Sequence, residues 1–433
     1  MLKLYRLLTV LCAPFLKTLI KKRLKKGKED QDRYTERMGQ TAVPRPKGAL
    51  LWFHAASVGE AQSTLILINA LVERLPDISI LVTTGTVTSA KLLDQRLPEQ
   101  AIHQYYPIDH PKWVTTFLDH WRPDAVIWME SELWPNMLLS IQKRNIPAAL
   151  VNARLSPKSF KSWKRIKRSA RRVLNTFTVC ITQTKDEAVH FEKLGHENVI
   201  VSDNLKYASK PLPYDEEELK KLRDVTQNRP LWLMASTHKG EEDIAFRIHL
   251  HLKKIHQDLL TIIVPRHPER RDAIKPLAEK FGLKAQFRHS NHLLPIDSDD
   301  VYIADTIGEL GLFYQLSPIA FIGRSLSTDG GGGHNPIEAA QMSCAILHGP
   351  KIQNLQQIYD DFSAASATLM VRSEEELQNK LEKLLSDEEG LNALQNKASN
   401  FATEKAKVLD KIINSLEPVV ELLEDKSKEN VAA

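Results

Sequence analysis

From residue 49 onward, short runs of apolar residues alternate with longer stretches in which apolar residues recur at helical spacing. This alternation is typical of βα units arranged around a parallel sheet. The helical spacing is clearest at 62–74 and 186–194. In the first half of the chain, the apolar runs predict strands at 49–54, 78–83, 125–129, 148–151, 179–182 and 199–201. The pattern predicts one doubly wound α/β domain.

A second series of strands follows a break at Pro211 and Pro213, which prevent a continuous helix or strand. A charged helical stretch at 215–223 comes next. The strands of the second series are predicted at 231–235, 260–264, 301–304, 319–322, 345–347 and 368–371. The sequence therefore predicts an N-terminal Rossmann-like domain at 29–209 and a C-terminal one at 210–425. Two such sheets would face a central cleft at the carboxyl ends of their strands, where ligands bind in this class of fold.

The composition suits a folded protein of two or three domains. The chain has 433 residues and a mass of 49.2 kDa, with 42% apolar and 26% charged residues, which excludes one small domain and wholesale disorder. The formal net charge is +5, but residues 1–28 hold nine Lys or Arg and no acid, leaving 50 bases against 54 acids elsewhere. Such a body lacks the basic excess of a nucleic-acid-binding protein, so no nucleic acid partner is expected. Three widely separated cysteines indicate neither a disulfide framework nor a zinc site, and they fit a reducing cytosol.

The N-terminal segment, residues 1–28, combines an apolar run with a basic one. Residues 7–16 read LLTVLCAPFL, and most of the bases follow them. A bilayer span needs about 20 apolar residues, and a cleavable signal would need a small-residue cleavage site. The segment therefore predicts a membrane-associated helix on an anionic surface, with the bulk of the chain in the cytosol. The sequence leaves open whether it crosses the bilayer or lies on it, and the alternative is a solvated charge run on a first helix.

Two motifs in the first half place carboxylates at strand ends. Residues 52–60 read WFHAASVGE, which puts Glu60 at a strand-to-helix turn where it could act as a general base. The alternative is a helix N-terminal glutamate stabilised by the macrodipole. Residues 129–136 read MESELWPN, with Glu130 and Glu132 after an apolar strand, and by spacing alone this pair is weak evidence for a site.

The second half carries motifs suited to an anionic ligand. Residues 235–242 read ASTHKGEE, where Ser236 or Thr237 is predicted to cap the next helix. Arg266 and His267 lie between a strand end and a helix start, which suits a phosphate, although an exposed loop explains them equally well. Residues 323–338 read GRSLSTDGGGGHNPIE, a glycine-rich loop that runs into a helix start and predicts an anion site, unless the loop is merely flexible.

Several common motifs are absent from the sequence. It contains no GxxxxGK[ST], GxGxxG or HExxH pattern, which removes the usual ATPase, dinucleotide and zinc-protease interpretations. Residues 297–299 have the D-x-D shape of metal-dependent sugar transferases, but they sit in a polar run and are interpreted as a loop.

Taken in order, these motifs with NARLS (152–156), DTIGEL (305–310) and GGHNPIEAA (332–340) form an ordered set. The set resembles the 3-deoxy-D-manno-octulosonic acid (Kdo) transferases of lipopolysaccharide synthesis, from Arg37-Met38-Gly39 to about residue 354. The resemblance implies a GT-B-like inverting glycosyltransferase that moves Kdo from CMP-Kdo to the lipid A precursor, a tetraacyldisaccharide 4'-phosphate. It also implies a location on the cytoplasmic side of the cell inner membrane, no cofactor and no metal.

The resemblance also implies roles for individual residues. Glu60 matches the catalytic base, and Glu130 and Lys206 match positions assigned to transition-state stabilisation. The residues that match contacts to the CMP part of the donor are Arg266, His267, Gly308, Glu309, Leu310, Asn335, Pro336, Ile337 and Glu338.

The chain departs from the family pattern at two places. Asp203 and Ala208 stand where the family usually has Gly and Asp, and the loop before His334 is two residues longer, with four glycines. The sequence leaves two alternative functions open: another GT-B transferase that uses a UDP-sugar, and a non-catalytic membrane-associated nucleotide-binding protein.

Overall fold

The computed structural model describes residues 1–227, 229–289 and 291–431, with side chains described up to residue 426. The chain divides into two units, each with its own sheet. The first unit is Met1–Ser209 with Lys407–Ala433, and the second is Lys210–Ala406.

The first unit is built on a parallel sheet whose strand order is β3-β2-β1-β4-β5-β6-β7 over the residues described. Most of these strands are buried along their whole length, because helices cover both faces of a parallel sheet. The strands are β1 (Leu50–Ala55), β2 (Ser79–Thr84), β3 (Ala101–Tyr105), β4 (Ala125–Met129), β5 (Ala148–Ala153), β6 (Val179–Thr182) and β7 (Val199–Val201).

Helices flank this sheet in βα alternation, and two more precede it. They are α1 (Leu2–Leu11), α2 (Ala13–Lys25), α3 (Val58–Arg74), α4 (Val87–Asp94), α5 (Pro111–Trp121), α6 (Pro135–Lys143), α7 (Pro157–Arg165), α8 (Lys167–Leu174) and α9 (Lys185–Leu194), with short 3-10 turns at Tyr34–Met38 and Leu205–Ala208. Within the described part of the chain, no helix is both long and apolar enough to cross a bilayer.

The second unit repeats the architecture with a parallel sheet of order β10-β11-β9-β8-β12-β13-β14. Its strands are β8 (Leu231–Thr237), β9 (Leu260–Pro265), β10 (Ala285–Phe287), β11 (Val301–Ile303), β12 (Ile319–Ile322), β13 (Ala345–His348) and β14 (Leu369–Met370). Its helices are α10 (Glu216–Thr226), α11 (Glu241–Leu252), α12 (Arg271–Lys280), α13 (Leu310–Leu316), α14 (Pro336–Gln341), α15 (Gln356–Ala364), α16 (Glu374–Ser386) and α17 (Glu388–Ala406), with a 3-10 turn at Pro268–Arg270. The predicted pair of doubly wound α/β domains is thus confirmed.

The last two helices, α18 (Val408–Ser415) and α19 (Glu417–Val431), return to the first unit. The sequence had assigned residues up to 425 to the C-terminal domain, so this part of the prediction is corrected. Helix α18 packs on α3 and β6 and buries Ile412. The carboxylate of Glu417 accepts from Nη1 of Arg74 at 2.8 Å. Adjacency in sequence does not determine which sheet covers an apolar helix face, and here the first sheet covers it.

Two strands of the structure are absent from the sequence prediction. Strand β3 contains His103 and Gln104 and lies at one edge of the first sheet. Strand β10 has three residues and lies at an edge of the second sheet. Strands β3 and β10 lack the continuous apolar run of a strand that is buried on both faces, so their pattern is weak, whereas the other two edge strands, β7 and β14, are predicted.

Gly39 ends the 3-10 turn before the first sheet and has a φ of 76°. A Cβ at this position would overlap the carbonyl oxygen of Trp113 in α5. Gly48 shares the left-handed conformation, with a φ of 81°, but open space surrounds its missing Cβ. Replacing Gly48 by alanine therefore changes only the strain of the backbone conformation, whereas replacing Gly39 adds a steric clash with α5.

We expect Gly39→Ala to destabilise the first unit by at least ~2 kcal/mol more than Gly48→Ala, because only the first variant forces α5 to move. Gly48→Ala should cost about 1 kcal/mol for its conformation alone. Urea unfolding followed by tryptophan fluorescence measures the difference, since six of the seven tryptophans lie in the first unit. Equal losses in the two variants would contradict the packing argument.

Candidate active site

Each sheet reverses its strand order beside its first strand, between β1 and β4 in the first unit and between β8 and β12 in the second. Ligands of doubly wound folds bind at such switch points, beyond the carboxyl ends of the strands. In the first unit, Glu60 follows β1 and Glu130 follows β4. The sequence-predicted carboxylates therefore flank the switch point of their own sheet.

Glu60 lies in the first turn of α3, and its carboxylate folds back over the helix start. Oε2 accepts from the N–H of Ala56 at 2.8 Å, and Oε1 accepts from the hydroxyl of Ser57 at 3.0 Å. The Ser57 oxygen in turn accepts from the N–H of Glu60 at 3.2 Å. This arrangement is a variant of the capping box, in which Glu60 accepts from the residue before the N-cap Ser57, and it fixes the carboxylate at one place. Glu60 is thus a helix N-terminal glutamate, as one of the two interpretations predicts, and its carboxylate also lies at the switch point.

Burial dominates the electrostatics of Glu60, whose residue exposure is 7%. Desolvation raises the pKa of Glu60 to about 7; the hydrogen bonds from Ala56 and Ser57 oppose the rise, and the nearby Glu130 and Glu132 add to it. A carboxylate with this pKa is a stronger base than an ordinary glutamate and is about half ionised at neutral pH. Such a shift at a strand end is typical of a functional carboxylate.

Glu130 is held in a left-handed backbone conformation, with a φ of 55°, at the end of β4. Its side chain is buried and accepts from Nε of Arg154 at 2.7 Å and from Nδ2 of Asn152 at 3.4 Å. Asn152 also has a φ of 55° and lies where the register of β5 shifts. Strained residues that neighbours hold in place concentrate at active sites. The NARLS motif therefore orients the carboxylate of Glu130.

Lys206 is brought to the same place by the 3-10 turn Leu205–Ala208. The Asn152 side chain accepts from the N–H of Leu205 at 3.0 Å and so ties this turn to Glu130. The Lys206 ammonium lies beside the residue that precedes Glu60: a Cβ built on Gly59 would lie 3.8 Å from Nζ of Lys206. Burial lowers the pKa of Lys206, while the charges of Glu130 and Glu60 raise it and that of Arg154 lowers it. The structure thus brings Glu60, Glu130 and Lys206 together.

In the second unit, the carboxyl end of β8 is distorted in the same way. Ser236 has a φ of 56°, and Arg324, which follows β12, has a φ of 59°. Helix α11 begins after Gly240 without a side-chain cap, so the predicted cap by Ser236 or Thr237 is wrong. Both residues belong to β8, and the predicted strand was too short to include them. The buried carboxylate of Glu241 instead accepts three backbone N–H groups, from His238, Arg324 and Leu326.

A chain of side chains crosses this switch point. Nδ1 of His238 lies 2.8 Å from Oδ2 of Asp329, and Nε2 of His238 lies 3.1 Å from Nε2 of His334. Burial lowers the pKa of His334 to about 4 and also lowers that of His238, so both rings are neutral at pH 7. A neutral imidazole has one donor and one acceptor nitrogen. Nδ1 of His238 donates to the Asp329 carboxylate, so Nε2 of His238 accepts from Nε2 of His334. Nδ1 of His334 is therefore an acceptor.

The four glycines after Asp329 all have positive φ, between 68° and 127°. Gly332 has a φ of 127°, which residues with a side chain rarely adopt, so this part of the loop favours glycine. Asn335 caps the six-residue helix α14 by accepting from the N–H of Ile337 at 3.2 Å, with Pro336 in the first turn. These features agree with the predicted loop and helix start.

Glu338, in the same turn, accepts from Nδ2 of Asn335 at 3.2 Å. Burial raises the pKa of Glu338, while Asn335 and the positive charge of Arg266 lower it. Arg266 and His267 follow β9 and are exposed. The His267 ring centroid lies 6.0 Å from that of His238. The second unit therefore gathers Arg266, His267 and the α14 start around one end of its sheet.

The Gly308–Leu310 segment lies at the start of α13, after β11. The carboxylate of Glu309 is committed to Arg288, whose Nη2 and Nε donate to it at 2.7 and 2.8 Å. Arg288 is fully buried and also binds Glu218 of α10 at 3.0 Å. Burial alone would raise the pKa of Glu309, but the hydrogen bonds from Arg288 and Thr306 lower it. Glu309 thus holds the loop in place.

Sequence reasoning missed the side chains that orient the predicted ones. They are Asn152, Arg154, His238, Asp329 and His334, and all five lie inside the quoted motifs. Their partners are 22 to 96 residues away in the chain, as for Glu130 with Asn152 and His238 with His334, so spacing carried no signal.

Glu60→Gln should stabilise the first unit at alkaline pH. Gln keeps an acceptor for the N–H of Ala56 and carries no buried charge. Because the folded-state pKa is about 7 instead of 4.5, the folded chain holds a proton that the unfolded chain has lost between these values, so wild-type stability falls as pH rises through this window. We expect the variant to unfold like wild type at pH 4.5 and to be more stable by about 3 kcal/mol at pH 8.

Urea unfolding at the two pH values, followed by tryptophan fluorescence, measures this difference. Glu192→Gln, which changes an exposed glutamate of α9, serves as the matched control and should stay within about 0.5 kcal/mol of wild type at both pH values. An unchanged pH dependence in Glu60→Gln would show that Glu60 titrates like an ordinary carboxylate.

Comparison with known proteins identifies the family. Residues 32–209 match the family described as 3-Deoxy-D-manno-octulosonic-acid transferase (kdotransferase). The chain is 38% identical to the 3-deoxy-D-manno-octulosonic acid transferase of Rickettsia bellii, over 95% of this chain and 98% of that one. It is 32% identical to the enzyme of that name from Haemophilus influenzae, over 96% of this chain and 98% of that one.

A solved structure of a glycosyltransferase from Rickettsia africae superposes with a TM-score of 0.55 at 15% identity, covering 87% of this chain and 99% of that one. This likeness shows a GT-B-like fold and nothing more about the reaction. The relatives from R. bellii and H. influenzae carry the family assignment, because each is more than 30% identical and is matched along almost its whole length. This chain is a glycosyltransferase that belongs to the 3-deoxy-D-manno-octulosonic acid transferase family.

Proposed function

We propose that this enzyme transfers Kdo from CMP-Kdo to the lipid A precursor with inversion, without a metal, and with Glu60 as general base. One observation carries the proposal: the buried carboxylate of Glu60, with a pKa raised to about 7, is fixed at the first switch point beside Glu130 and Lys206. Family membership supports Kdo as the transferred sugar.

In the proposed step, a sugar hydroxyl of the acceptor attacks the anomeric carbon of Kdo. The new carbon–oxygen bond forms as the bond to the CMP phosphate breaks, and CMP leaves with that electron pair. The hydroxyl proton passes to Glu60 and then to solvent. A single displacement inverts the anomeric centre. Since Glu60 is held by two hydrogen bonds, its reorganisation during transfer is small.

Lys206 and Glu130 act together in this proposal. A partly desolvated ammonium stabilises anionic charge on the donor more strongly than an exposed one. Glu130 keeps Lys206 charged, because its charge raises the pKa that burial lowers. Asn152 hydrogen-bonds both the Glu130 carboxylate and the N–H of Leu205, next to Lys206, and so holds the two residues in place. Glu130 is thus assigned to orienting the lysine.

The second unit is proposed to hold the CMP part of the donor. Arg266 and His267 are exposed at the end of β9 and would meet the phosphate, while Asn335 to Glu338 would hold phosphate and ribose. Asp329 and the neutral rings of His238 and His334 would determine which ring nitrogens beside the glycine-rich loop donate hydrogen bonds and which accept them. The backbone of Gly308 to Leu310 would face the nucleotide, since the Glu309 carboxylate is held by Arg288.

The N-terminal helices are proposed to associate with the anionic cytoplasmic face of the inner membrane. Apolar side chains of α1 and α2 are exposed, including Leu7 at 55%, Leu11 at 66% and Phe15 at 68%. The bases of residues 17–28 follow this apolar run. An apolar face next to bases is the composition of an interfacial helix.

Glu60→Gln should abolish Kdo transfer, because the amide cannot accept the hydroxyl proton. The loss should be at least about 10²-fold in kcat, the lower end of what general-base catalysis contributes. CMP release from CMP-Kdo in the presence of lipid A precursor measures it. For wild type, kcat/KM should fall as pH decreases below about 7, because Glu60 becomes protonated.

The control variant is Glu192→Gln, which should retain wild-type turnover. Calorimetric titration with CMP and with UMP tests the donor independently, and tighter UMP binding would favour a UDP-sugar transferase. Unchanged turnover in Glu60→Gln would remove Glu60 as the base. Absence of turnover in wild type, where a control Kdo transferase works, would favour the non-catalytic alternative.

The combined change Leu7→Asp with Leu11→Asp should release the protein from anionic vesicles, since it places two carboxylates on the exposed apolar face of α1. Sedimentation with phosphatidylglycerol vesicles measures binding, and we expect at least a tenfold loss. Leu293→Asp, at an exposed leucine of the second unit, is the matched control and should bind like wild type. Equal binding by all three proteins would place the membrane contact elsewhere.

A further inference from the structure

Helix α1 has two faces with different partners. Leu4, Leu7, Leu8 and Leu11 are exposed on one face. The other face contacts the body of the first unit, where Leu2 packs against the buried apolar residues of its core. Tyr5 and Thr9, one turn apart, make side-chain hydrogen bonds on that inner side.

Tyr5 reaches a buried carboxylate. Its hydroxyl donates to Oδ2 of Asp109 at 2.9 Å, and Asp109 is 3% exposed. Asp109 also accepts from the N–H groups of Asn136 at 3.0 Å and Met137 at 2.8 Å. These are the first free amides of helix α6, whose own N-cap residue, Trp134, offers no side-chain cap. Asp109 therefore caps α6 although it lies outside that helix, and Tyr5 donates a third hydrogen bond to the capping carboxylate.

A second contact joins the same two helices. Nδ2 of Asn136 donates to the backbone oxygen of Asp109 at 2.7 Å and to Oγ1 of Thr9 at 3.1 Å. Burial raises the pKa of Asp109, and its hydrogen bonds from Asn136, Met137 and Tyr5 lower it. Removing one donor from a buried carboxylate leaves part of its charge unsatisfied, which weakens the whole network.

The start of α6 determines where the MESELWPN loop ends. Residues 130–134 connect β4 to α6, so the loop is short and fixed at both ends. At one end Arg154 and Asn152 hold Glu130, and inside the loop the carbonyl of Glu132 accepts from Nε1 of Trp128 at 2.6 Å. The Asp109 cap fixes the other end, and Tyr5 secures the cap.

We propose that Tyr5 is a positioning residue for Kdo transfer, acting through Asp109 and the start of α6 on the loop that follows Glu130. The proposal rests on the proposed function, because it assigns that loop to the active site. It makes α1 part of the active-site framework in addition to its proposed role at the membrane. The two roles lie on different faces of α1 and are separable by mutation.

The experiment compares full-length wild type, Tyr5→Phe and Thr9→Val with Tyr214→Phe, a matched control at an exposed tyrosine of the second unit. Steady-state kinetics use CMP-Kdo and lipid A precursor in mixed micelles, and vesicle sedimentation reports membrane binding. Tyr5→Phe should lower kcat by about 10- to 100-fold, as a small displacement of a positioned group does. The KM for CMP-Kdo and vesicle binding should stay within twofold of wild type, and Thr9→Val should show a smaller loss of the same kind.

Hydrogen exchange gives a readout that does not depend on activity. In Tyr5→Phe, the amides of Asn136 and Met137 should exchange at least tenfold faster, while those of α9 stay unchanged. A kcat within twofold of wild type, or a kcat loss that parallels a loss of vesicle binding, would overturn the proposal while the proposed function stands. If wild type transfers no Kdo, the proposed function fails. Separately, unchanged hydrogen exchange at Asn136 and Met137 in Tyr5→Phe would show that Tyr5 does not act on the start of α6, and would overturn this proposal.

Discussion

The position and acidity of Glu60 arise from one balance between hydrogen bonding and burial. The N–H of Ala56 and the hydroxyl of Ser57 hold the carboxylate and favour its charged form, whereas burial favours the neutral form. Burial prevails, and the pKa settles at about 7. If the hydrogen-bonded carboxylate were more exposed, its pKa would be that of an ordinary glutamate. If it were buried without the two hydrogen bonds, its position would not be fixed. Both conditions are met because the turn after β1 lies at the switch point of a covered parallel sheet.

A second feature is common to the two units, at or next to their switch points. Non-glycine residues adopt left-handed conformations at the carboxyl ends of adjacent strands: Glu130 and Asn152 in the first unit, and Ser236 and Arg324 in the second. Each pair is held by a side chain that bridges the two strands. Asn152 reaches Glu130 directly, and Glu241 binds the backbone of Arg324 and of His238, two residues after Ser236. Strain of this kind persists only where surrounding contacts fix it, and both bridging residues, Asn152 and Glu241, lie within the quoted motifs.

The sequence predicted the interior of each sheet well, because a strand covered on both faces must be an apolar run. Two of the four edge strands escaped prediction, as β3 with its His103 and Gln104 shows, because they lack a continuous apolar run. The sequence placed Glu60 at its turn, because the turn residues and the helical period are local signals. It could not find Arg154 as the partner of Glu130, or Asp329 as the partner of His238, because those pairs form only when distant strand ends meet. Helix α18 was assigned to the wrong unit for the same reason.

Charge distribution constrains how such a protein can approach an anionic surface. Besides residues 1–28, helices α7 and α8 carry eight exposed bases between residues 157 and 174 and no acid. The remaining residues hold 42 bases against 54 acids, a balance of −12. At physiological ionic strength charges act over roughly 8 Å, so the acidic remainder does not cancel a basic segment that lies at the surface. Both basic segments belong to the first unit, and one of them is hydrogen-bonded through Tyr5 to Asp109, which caps α6. Attraction to an anionic surface would therefore act on the unit that carries Glu60, Glu130 and Lys206.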